Sequence, residues 1–270
     1  MFFLVVPLIR VLTDKAVVVE MLLTGYNLDI VIPVYNEGEN LLPWLQDVAD
    51  YLQPADRVVV VDASDQLTAK DILSDLITNN GQIHYLKSNK GRALQMNAGA
   101  ELLATLSTKN SHQEKSRLLW FLHSDSGLSQ QHLVYLRALD SDTKWGRFDV
   151  QLMPNLDISS YVFPAAIIPK LMNLRSRYSQ VMTGDQGIFI RRDIFQQLQG
   201  YAPIPLMEDV EISKRLRKLA RADCNGPVLR TSARRWQQNG WVKTVLLMWQ
   251  LRLMYWLGVS PDTLVKKYYG

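Results

Sequence analysis

Several features that define large protein classes are missing from this sequence. It has one cysteine, Cys224, which excludes an intrachain disulfide framework and a cysteine-rich zinc site and favours a reducing compartment. Its four histidines show neither an HExxH pattern nor another close metal-binding spacing. The glycine-rich fingerprints of P-loop and dinucleotide-binding proteins are also missing, which argues against ATP and NAD chemistry.

The sequence has no long basic tail and little excess charge. It contains 30 Lys and Arg against 26 Asp and Glu, a net charge of +4, with short basic clusters at 214–218 and 230–235. We therefore expect no nucleic-acid partner. With 47% hydrophobic and 21% charged residues, the chain is neither disordered, collagen-like nor a polytopic membrane protein. Its 270 residues suffice for one large domain or two small ones.

The N-terminal residues 1–27 receive no assignment. The apolar stretch at 2–9 contains Pro7 and lacks both a basic leader and a small-residue cleavage pattern, so it is not predicted to be a signal peptide. The second apolar stretch, at 17–23, is broken by Glu20, and its length fits a strand, a helix or translated upstream sequence.

The C-terminal segment 241–270 is predicted to begin with an apolar helix over 241–259. On a helix Arg252 lies nearly opposite Lys243 and Gln250, so no clean polar stripe forms and a simple surface amphipathic helix is disfavoured. Three interpretations stay open: docking on its own domain or on a twin subunit, lying in a membrane interface, or spanning a bilayer. We expect a cytoplasmic protein that is either peripheral on the inner face of the membrane or a homodimer through this helix.

Between these ends, β-branched runs alternate with helical patterns. Strands are predicted at 28–34, 57–61, 82–86 and 118–122, and helices at 40–52, 68–78, from 91 onward and at 129–139. Strands separated by helices form βαβ units. The pattern predicts an α/β fold with a mostly parallel central sheet and helices on both faces.

Acidic residues follow three of these strands. Glu37, Asp62 and Asp125 stand at or just beyond strand ends, where ligands bind to sheets of this type. Carboxylates held together repel one another, so a metal ion or a cationic ligand is expected to neutralise them. The alternative for each residue is a helix N-cap or an Asx turn.

A further acidic pair opens a later helix. Glu208 and Asp209 precede the apolar positions Ile212, Leu216 and Leu219. Acidic residues in a first helical turn stabilise the helix through its dipole by roughly 0.3–1 kcal/mol each, so the pair alone is a weak functional signal.

Taken together, the motifs resemble those of the family 2 glycosyltransferases. The segments that carry the resemblance are 31–37 (VIPVYNE), 60–64 (VVDAS), 121–125 (FLHSD), 207–209 (MED) and 231–236 (TSARRW). Two more, 91–100 (GRALQMNAGA) and 184–187 (GDQG), are similar to a bacterial subgroup associated with radical-SAM and selenodomain proteins. The resemblance covers about 28–261 and implies a GT-A fold over 28–240.

The resemblance also implies a donor site. Pro33, Tyr35, Glu37 and Asp62 would hold the base and ribose of a UDP-, GDP- or dTDP-sugar, and Ser124 would lie beside it. Asp125 stands at the last position of the family's Asp-x-Asp motif, which binds Mg²⁺ or Mn²⁺ against the diphosphate. His123 replaces the first Asp, and is either a metal ligand, a sugar contact, or a packed or solvent-facing histidine.

Two basic or polar side chains near the start of the helix after 91 are further donor candidates. Arg92 and Asn97 follow Gly91, where unpaired N–H groups and the helix dipole favour phosphate; an ordinary surface arginine is the alternative for Arg92.

In the same pattern Asp209 matches the catalytic base of inverting members, supported by Glu208. Arg235 and Trp236 match the end of a Gln-x-x-Arg-Trp motif in which Ser232 replaces Gln, so processive polymerisation is not expected. They would contact diphosphate and sugar, or else form a salt bridge and a packed indole. Asp185 and Gln186 would lie on the acceptor side.

The sequence thus predicts a metal-dependent, inverting glycosyltransferase acting on an unknown hydroxyl acceptor. The alternatives are a nucleotide-sugar-binding protein without turnover and a sugar nucleotidyltransferase. The glycosyltransferase interpretation requires Asp62, Asp125 and Asp209 to converge on one metal-held diphosphate.

Overall fold

The computed structural model describes residues 25–38, 41–65, 69–106, 117–153 and 162–269, without the side chains at 162–165, 235 and 269. The apolar stretches at 2–9 and 17–23 lie outside these residues. So do Asn40 and Thr68, the predicted first residues of two helices.

Strands and helices alternate through the first half of the chain, as predicted. The strands are β1 Asn27–Val34, β2 Arg57–Asp62, β3 Ile83–Lys87, β4 Arg117–Phe121, β5 Ser126–Gly127, β6 Trp145–Gly146, β7 Val150–Met153, β8 Phe189–Arg191 and β9 Leu229–Ser232. The helices are α1 Leu41–Ala49, α2 Ala69–Asn79, α3 Arg92–Thr105, α4 Gln130–Arg137, α5 Val162–Ser179, α6 Arg192–Gln197, α7 Glu208–Leu216, α8 Arg234–Asn239, α9 Trp241–Trp256 and α10 Pro261–Tyr269.

The central sheet has the strand order β3-β2-β1-β4-β8-β6. Its first four strands are parallel, whereas β8 is antiparallel to both β4 and β6. The run of β-branched residues in β2 is fully buried, as expected for a strand covered on both faces. The predicted mostly parallel sheet is confirmed.

Helices cover both faces of this sheet, because alternate side chains of each strand point to opposite sides. Ile30 and Ile32 pack with buried residues of α1, α2 and α4, whereas Val31 packs with those of α3, α6 and α7. The two hydrophobic clusters form the core and confirm the predicted α/β fold with helices on both faces of the sheet.

A second, smaller sheet has the order β5-β9-β7, and α5 packs on β7. The sequence pattern does not predict this sheet. Its strands are two to four residues long, so each offers too few alternating positions for a period of two to stand out.

The C-terminal helices pack on the main body through one side of α9. Leu251 is fully buried and clusters with Met207, Val210 and Leu264. That side of the helix therefore docks on its own domain, one of the three interpretations that the sequence left open. Within the described ranges, no helix has the length and apolar character needed to cross a membrane.

Candidate active site

The carboxyl ends of β1 and β2 lie side by side, with Val34 paired to Asp62. The buried Gln95 of α3 joins them, because its amide nitrogen donates to the carbonyls of Val34 (2.9 Å) and Val61 (2.8 Å). One side chain therefore fixes the spacing of two strand ends. The loops that follow these strands begin from a rigid edge.

A small pocket of about 10 Å³, room for about one water molecule, lies at this edge. It is bounded by β1, the start of α3, the loop after β4, a 3-10 turn at Gly184–Gln186 and the start of α7. Pro33 forms part of its wall, and it brings together four charged or polar side chains predicted for the site. These are Arg92, His123, Glu208 and Asp209.

Gly184 allows the 3-10 turn to approach the loop after β4. A Cβ atom on Gly184 would stand 2.9 Å from Nε2 of His123, which is closer than real Cβ atoms pack. A side chain at position 184 would therefore clash with His123, which explains the glycine in the 184–187 motif. The close approach of the turn brings Asp185 next to the pocket.

The Asp209 carboxylate is held by backbone N–H groups. Gly184 N donates to Oδ2 (3.0 Å) and Val210 N donates to Oδ1 (2.7 Å). Burial nevertheless raises the pKa of Asp209 above its usual value, against these hydrogen bonds and the positive charge of Arg92. The carboxylate is thus fixed in orientation and made more basic.

Glu208 is buried beside Asp209. Burial and the negative charge of Asp209 raise the pKa of Glu208, and Arg92 opposes this. Because the backbone bonds of Asp209 favour its ionised form, we assign the charge of the pair to Asp209 and the retained proton to Glu208.

Arg92 lines the same pocket and acts electrostatically on both Glu208 and Asp209. Burial alone would lower the pKa of Arg92, but the carboxylates of Asp185, Glu208 and Asp209 raise it above its usual value. Gly91 precedes it with φ 145°, a value that favours glycine, and α3 begins at Arg92 itself. The guanidinium therefore lies at a helix N-terminus, where phosphate also binds favourably.

Asp125 and Asp185 form the acidic side of the cleft. Loss of surrounding water raises the pKa of Asp125 to about 6, and the negative charges of Asp185 and Glu37 act in the same direction. Asp185 acts electrostatically on His123, Glu208 and Asp209 as well. It links the Asp125 side of the cleft to the Asp209 side.

His123 is neutral in this environment. Burial and the positive charge of Arg92 lower the pKa of His123 well below its usual value, despite the nearby Asp185. A neutral imidazole and the Asp125 carboxylate are both suitable metal ligands. Among the described residues, however, no three His, Cys, Asp or Glu side chains are arranged to hold a metal ion by themselves. The chemistry of each side chain suits a cation that takes its other ligands from a diphosphate and water.

Residues 29–198 match the family described as Glycosyl transferase family 2. The chain belongs to this family. No curated protein matches the sequence.

Solved glycosyltransferase structures share the fold of this family 2 chain at low identity. The mannosyltransferase PcManGT from Pyrobaculum calidifontis, in complex with GDP-Man and Mn²⁺, is 14% identical, with a TM-score of 0.52 over 76% of this chain and 56% of its own. S. aureus TarS 1-349 in complex with UDP-GlcNAc is 14% identical, with a TM-score of 0.52 over 76% and 58%. GalNAc-T7 with UDP, GalNAc and Mn²⁺ is 16% identical, with a TM-score of 0.50 over 77% and 42%. The chain thus spans about half the length of the structures it matches.

The loop after β1 is tied to the loop after β2 in this family 2 domain. Asn36 N donates to Oγ of Ser64 (2.8 Å), and the Tyr35 hydroxyl donates to Asp65 (2.7 Å). Lys90 places its ammonium 4.0 Å above the Tyr35 ring. Tyr35 stands at the edge of the cleft with one ring face against a cation.

Asp62 is fully buried, and its carboxylate is engaged within the domain. It accepts from the backbone N–H groups of Ser64 (2.8 Å) and Ala69 (3.0 Å) and from the Tyr85 hydroxyl (3.1 Å). Bonds to Ser64 help to lower the pKa of Asp62, against the effect of burial. Asp62 therefore orders the loop after β2, the turn-forming alternative left open by the sequence. Of the three aspartates expected to converge, Asp62, Asp125 and Asp209, only Asp209 lines the pocket.

Two other predicted contacts also support loops. The Asn97 amide pairs with the Tyr201 backbone in both directions, at 2.8 Å each, so we assign it to the turn at 200–201 and not to the donor. Gln186 is fully buried and bonds Ser176 and Thr183, so it closes the 3-10 turn and does not face an acceptor.

At the C-terminal end of the family motif, Trp236 is partly buried against the protein. Its ring stacks on Trp241, with centroids 5.9 Å apart, and it joins the cluster of Leu152 and Ala233. This is the packed-indole alternative, in place of a sugar contact. The Arg235 side chain lies outside the described part, and Ser124 is half-buried in the turn before Asp125.

Sequence reasoning missed three residues of this region: Lys90, Gln95 and Arg175. Gln95 lies inside the quoted 91–100 motif, where it is one of two amide side chains, the other being Asn97. Nε and Nη2 of Arg175 are buried with no hydrogen-bond partner among the described atoms, and the charge of Asp209 acts on its guanidinium. Nothing in the sequence indicates that an arginine within α5 lies within electrostatic range of Asp209.

Proposed function

We propose that this family 2 protein transfers a sugar, a hexosyl or related group, from a UDP-, GDP- or dTDP-sugar to a hydroxyl acceptor with inversion. The observation that carries this proposal is the Asp209 carboxylate, oriented by two N–H groups and placed with Arg92 in a pocket at the strand ends. Such a pocket is where ligands of α/β sheets bind.

Asp209 is proposed to act as the base. It takes the proton of the acceptor hydroxyl while the hydroxyl oxygen forms a bond to the anomeric carbon. The bond from that carbon to the diphosphate oxygen breaks, and the leaving nucleoside diphosphate keeps the electron pair. A raised pKa makes Asp209 a stronger base near neutral pH, and Glu208 limits its hydration.

Arg92 is proposed to contact the donor diphosphate from the start of α3. Pro33, Tyr35 and Glu37 would border the base and ribose, with Asp62 acting indirectly by holding the loop beside them. Ser124 and Arg235 are retained as candidate donor contacts, and Asp185 as the candidate on the acceptor side. The 91–100 and 184–187 motifs support membership of the radical-SAM and selenodomain-associated subgroup.

A divalent cation, Mg²⁺ or Mn²⁺, is proposed to be held by Asp125 with His123. It would supply positive charge against the leaving diphosphate. The neutral imidazole and the carboxylate support this assignment, as do the Mn²⁺ complexes of two similar structures. We further propose a cytoplasmic protein in which α9 meets either the inner membrane surface or a second copy.

Incubation with a panel of nucleotide sugars and Mg²⁺ or Mn²⁺ tests the function. A matching donor at 100 times its dissociation constant should stabilise the fold by about 2.7 kcal/mol, and should release nucleoside diphosphate when an acceptor is supplied. Stabilisation without release across a broad acceptor panel would favour a binding protein without turnover. Release of inorganic diphosphate from a nucleoside triphosphate and a sugar phosphate would favour a nucleotidyltransferase.

A further inference from the structure

Helix α9 has two apolar sides. One packs on the domain through Thr244, Leu251 and their neighbours. The other side, called here the outer face, is formed by apolar residues at three- and four-residue intervals, and these residues are 56–74% exposed. It consists of Val242, Leu246, Trp249, Leu253 and Trp256.

Basic and polar residues lie along both edges of the outer face. At 100° per residue, Arg252 lies on one edge, and Lys243 and Gln250 lie on the other. The apparent lack of a polar stripe in the sequence therefore reflects two apolar sides separated by two narrow polar edges. Burial of one side in the domain still leaves a continuous apolar strip in water.

We propose that the outer face docks on the surface of an anionic lipid bilayer. A helix of 16 residues is about 24 Å long, and lying flat it can insert its apolar side chains at the level of the headgroups. Trp249 and Trp256 are of the type that concentrates at membrane interfaces. Single apolar residues on a protein surface are ordinary, but five large ones in one exposed strip indicate an interaction surface.

Charge complementarity favours an anionic surface. From residue 234 to the end, the chain has six basic residues and one acidic residue, so this segment carries more positive charge than the whole protein. The basic residues are Arg234, Arg235, Lys243, Arg252, Lys266 and Lys267. Anionic headgroups attract such clusters within a Debye length of the surface.

The same charges disfavour a second copy of the chain as the occupant. In a two-fold dimer the outer face would meet itself, which brings the Lys243 and Arg252 edges of one copy against basic edges of the other. Like charges that face each other across an interface are destabilising. A bilayer supplies the opposite charge.

A groove of about 670 Å³ lies along one edge of the outer face, between α9 and α10. It is lined by Val242, Lys243, Leu246, Lys267 and Tyr268, among others, and the Tyr268 phenol acts electrostatically on Arg92. This extension rests on the proposed function: the acceptor hydroxyl belongs to a molecule that resides in the bilayer. Vesicle binding needs no turnover, so failure of docking and failure of transfer are measured separately.

Sedimentation of the full chain with vesicles tests the docking. We expect binding to vesicles of phosphatidylcholine and phosphatidylglycerol in equal parts, and little binding to phosphatidylcholine alone or at high salt. The double variant Trp249→Glu with Leu253→Glu should bind about tenfold more weakly. Both side chains are exposed, so its thermal midpoint should match that of the wild type, which controls for misfolding.

Val134→Glu is the matched control, because Val134 is a 55% exposed apolar residue on α4 and should bind vesicles as the wild type does. Equal vesicle binding by the double variant and wild type overturns the proposal. So does a wild-type dimer in sedimentation equilibrium that becomes monomeric in the double variant and binds no vesicles in either form. Equal binding to both kinds of vesicle contradicts the requirement for anionic lipid.

Discussion

Asp209 is held as a carboxylate by two backbone N–H groups, one at each oxygen. Asp209→Asn keeps the shape of the side chain and removes its basicity, at the cost of one of these two hydrogen bonds. We expect the rate of sugar transfer to fall by about 10²–10⁴-fold, with donor binding retained. Steady-state release of nucleoside diphosphate, together with donor binding by thermal shift, measures both.

Glu211→Gln is the control for Asp209→Asn, since Glu211 lies in the same helical turn and pairs with Arg215. It should transfer sugar at nearly the wild-type rate. An Asp209→Asn enzyme of normal activity would remove Asp209 from the mechanism and leave Glu208 as the candidate base.

Asp29 stabilises the start of β1 through charge that the sequence motif does not reveal. Its fully buried carboxylate accepts from Arg57 (3.0 Å) and Arg117 (2.7 Å) and lies 3.2 Å from Arg192. Asp29→Asn leaves these buried arginines without their counter-charge. We expect the free energy of unfolding to fall by about 3–5 kcal/mol, measured by urea denaturation.

The exposed pair of Asp193 and Arg191 provides the comparison for Asp29. Asp193→Asn should change stability by less than about 1 kcal/mol, because water and salt screen exposed ion pairs. Similar losses in the two variants would show that burial of the Asp29 charge is not what matters.

At the residue scale, the sequence predicted the side chains that reach the pocket better than those that support it. Arg92 and Asp209 follow recognisable strand or helix boundaries. Asp62 and Gln186 occupy equally recognisable positions, yet their polar groups are hydrogen-bonded to nearby backbone and hydroxyl groups. Competition between a ligand and local hydrogen bonds depends on loop geometry, which a motif does not contain.

At the scale of elements, α3 packs on the central sheet through Gly99. A Cβ atom there would lie 2.6 Å from Val31 and 2.8 Å from Val61. Gly99→Ala gains about 1 kcal/mol of helix propensity, but overpacking against rigid valines costs about 1–3 kcal/mol. We expect a net loss of stability, seen as a lower thermal midpoint.

Gly81 gives the matched case for Gly99, because nothing lies within 4 Å of a Cβ atom built on it. Gly81→Ala should leave the thermal midpoint unchanged or slightly raised. A stabilising Gly99→Ala would mean that α3 can shift away from the sheet at little cost.

The sequence predicted long, periodic elements and missed short ones. Helix α3 and strands β1 to β4 were found because their apolar runs are bounded by turn residues. Strand β6 has two residues and pairs with β8, which is far away in sequence, so its existence depends on tertiary packing. Helix α9 was found, but its two apolar sides cancel in any single-stripe pattern.

For the whole molecule, the raised pKa values of the cleft acids predict how stability depends on pH. Asp125 loses its proton near pH 6 when folded and near pH 3.8 when unfolded, and the pKa values of Glu208 and Asp209 are also raised. The folded state therefore binds more protons than the unfolded state above pH 3.8. Stability should fall as the pH rises through about 6 and into the range where Glu208 ionises.

Thermal unfolding of the wild type and Glu208→Gln from pH 5 to pH 8 measures this dependence. The variant should match the wild type at pH 5 and unfold several degrees higher at pH 8, since about 1 kcal/mol corresponds to roughly 2–4 °C in domains of 150–250 residues. Asp71→Asn, on the exposed start of α2, should follow the wild-type curve. A variant curve parallel to the wild type would show that Glu208 ionises normally in the folded protein.

The overall architecture was predictable because βαβ alternation permits few arrangements. The placement of the C-terminal helices was not, since it depends on Leu251 meeting Met207 and Val210 across the fold. That contact brings α9 to the helix that carries Asp209.

The two sides of α9 perform separate tasks and accept separate changes. Polar replacements at Trp249 or Leu253 leave the buried Leu251 in place. We therefore expect a protein with fewer exposed apolar side chains to keep its fold. Such a protein suits crystallisation, because it should aggregate less in solution. It also suits soaking with nucleotide sugars, because the cleft around Asp209 keeps its geometry.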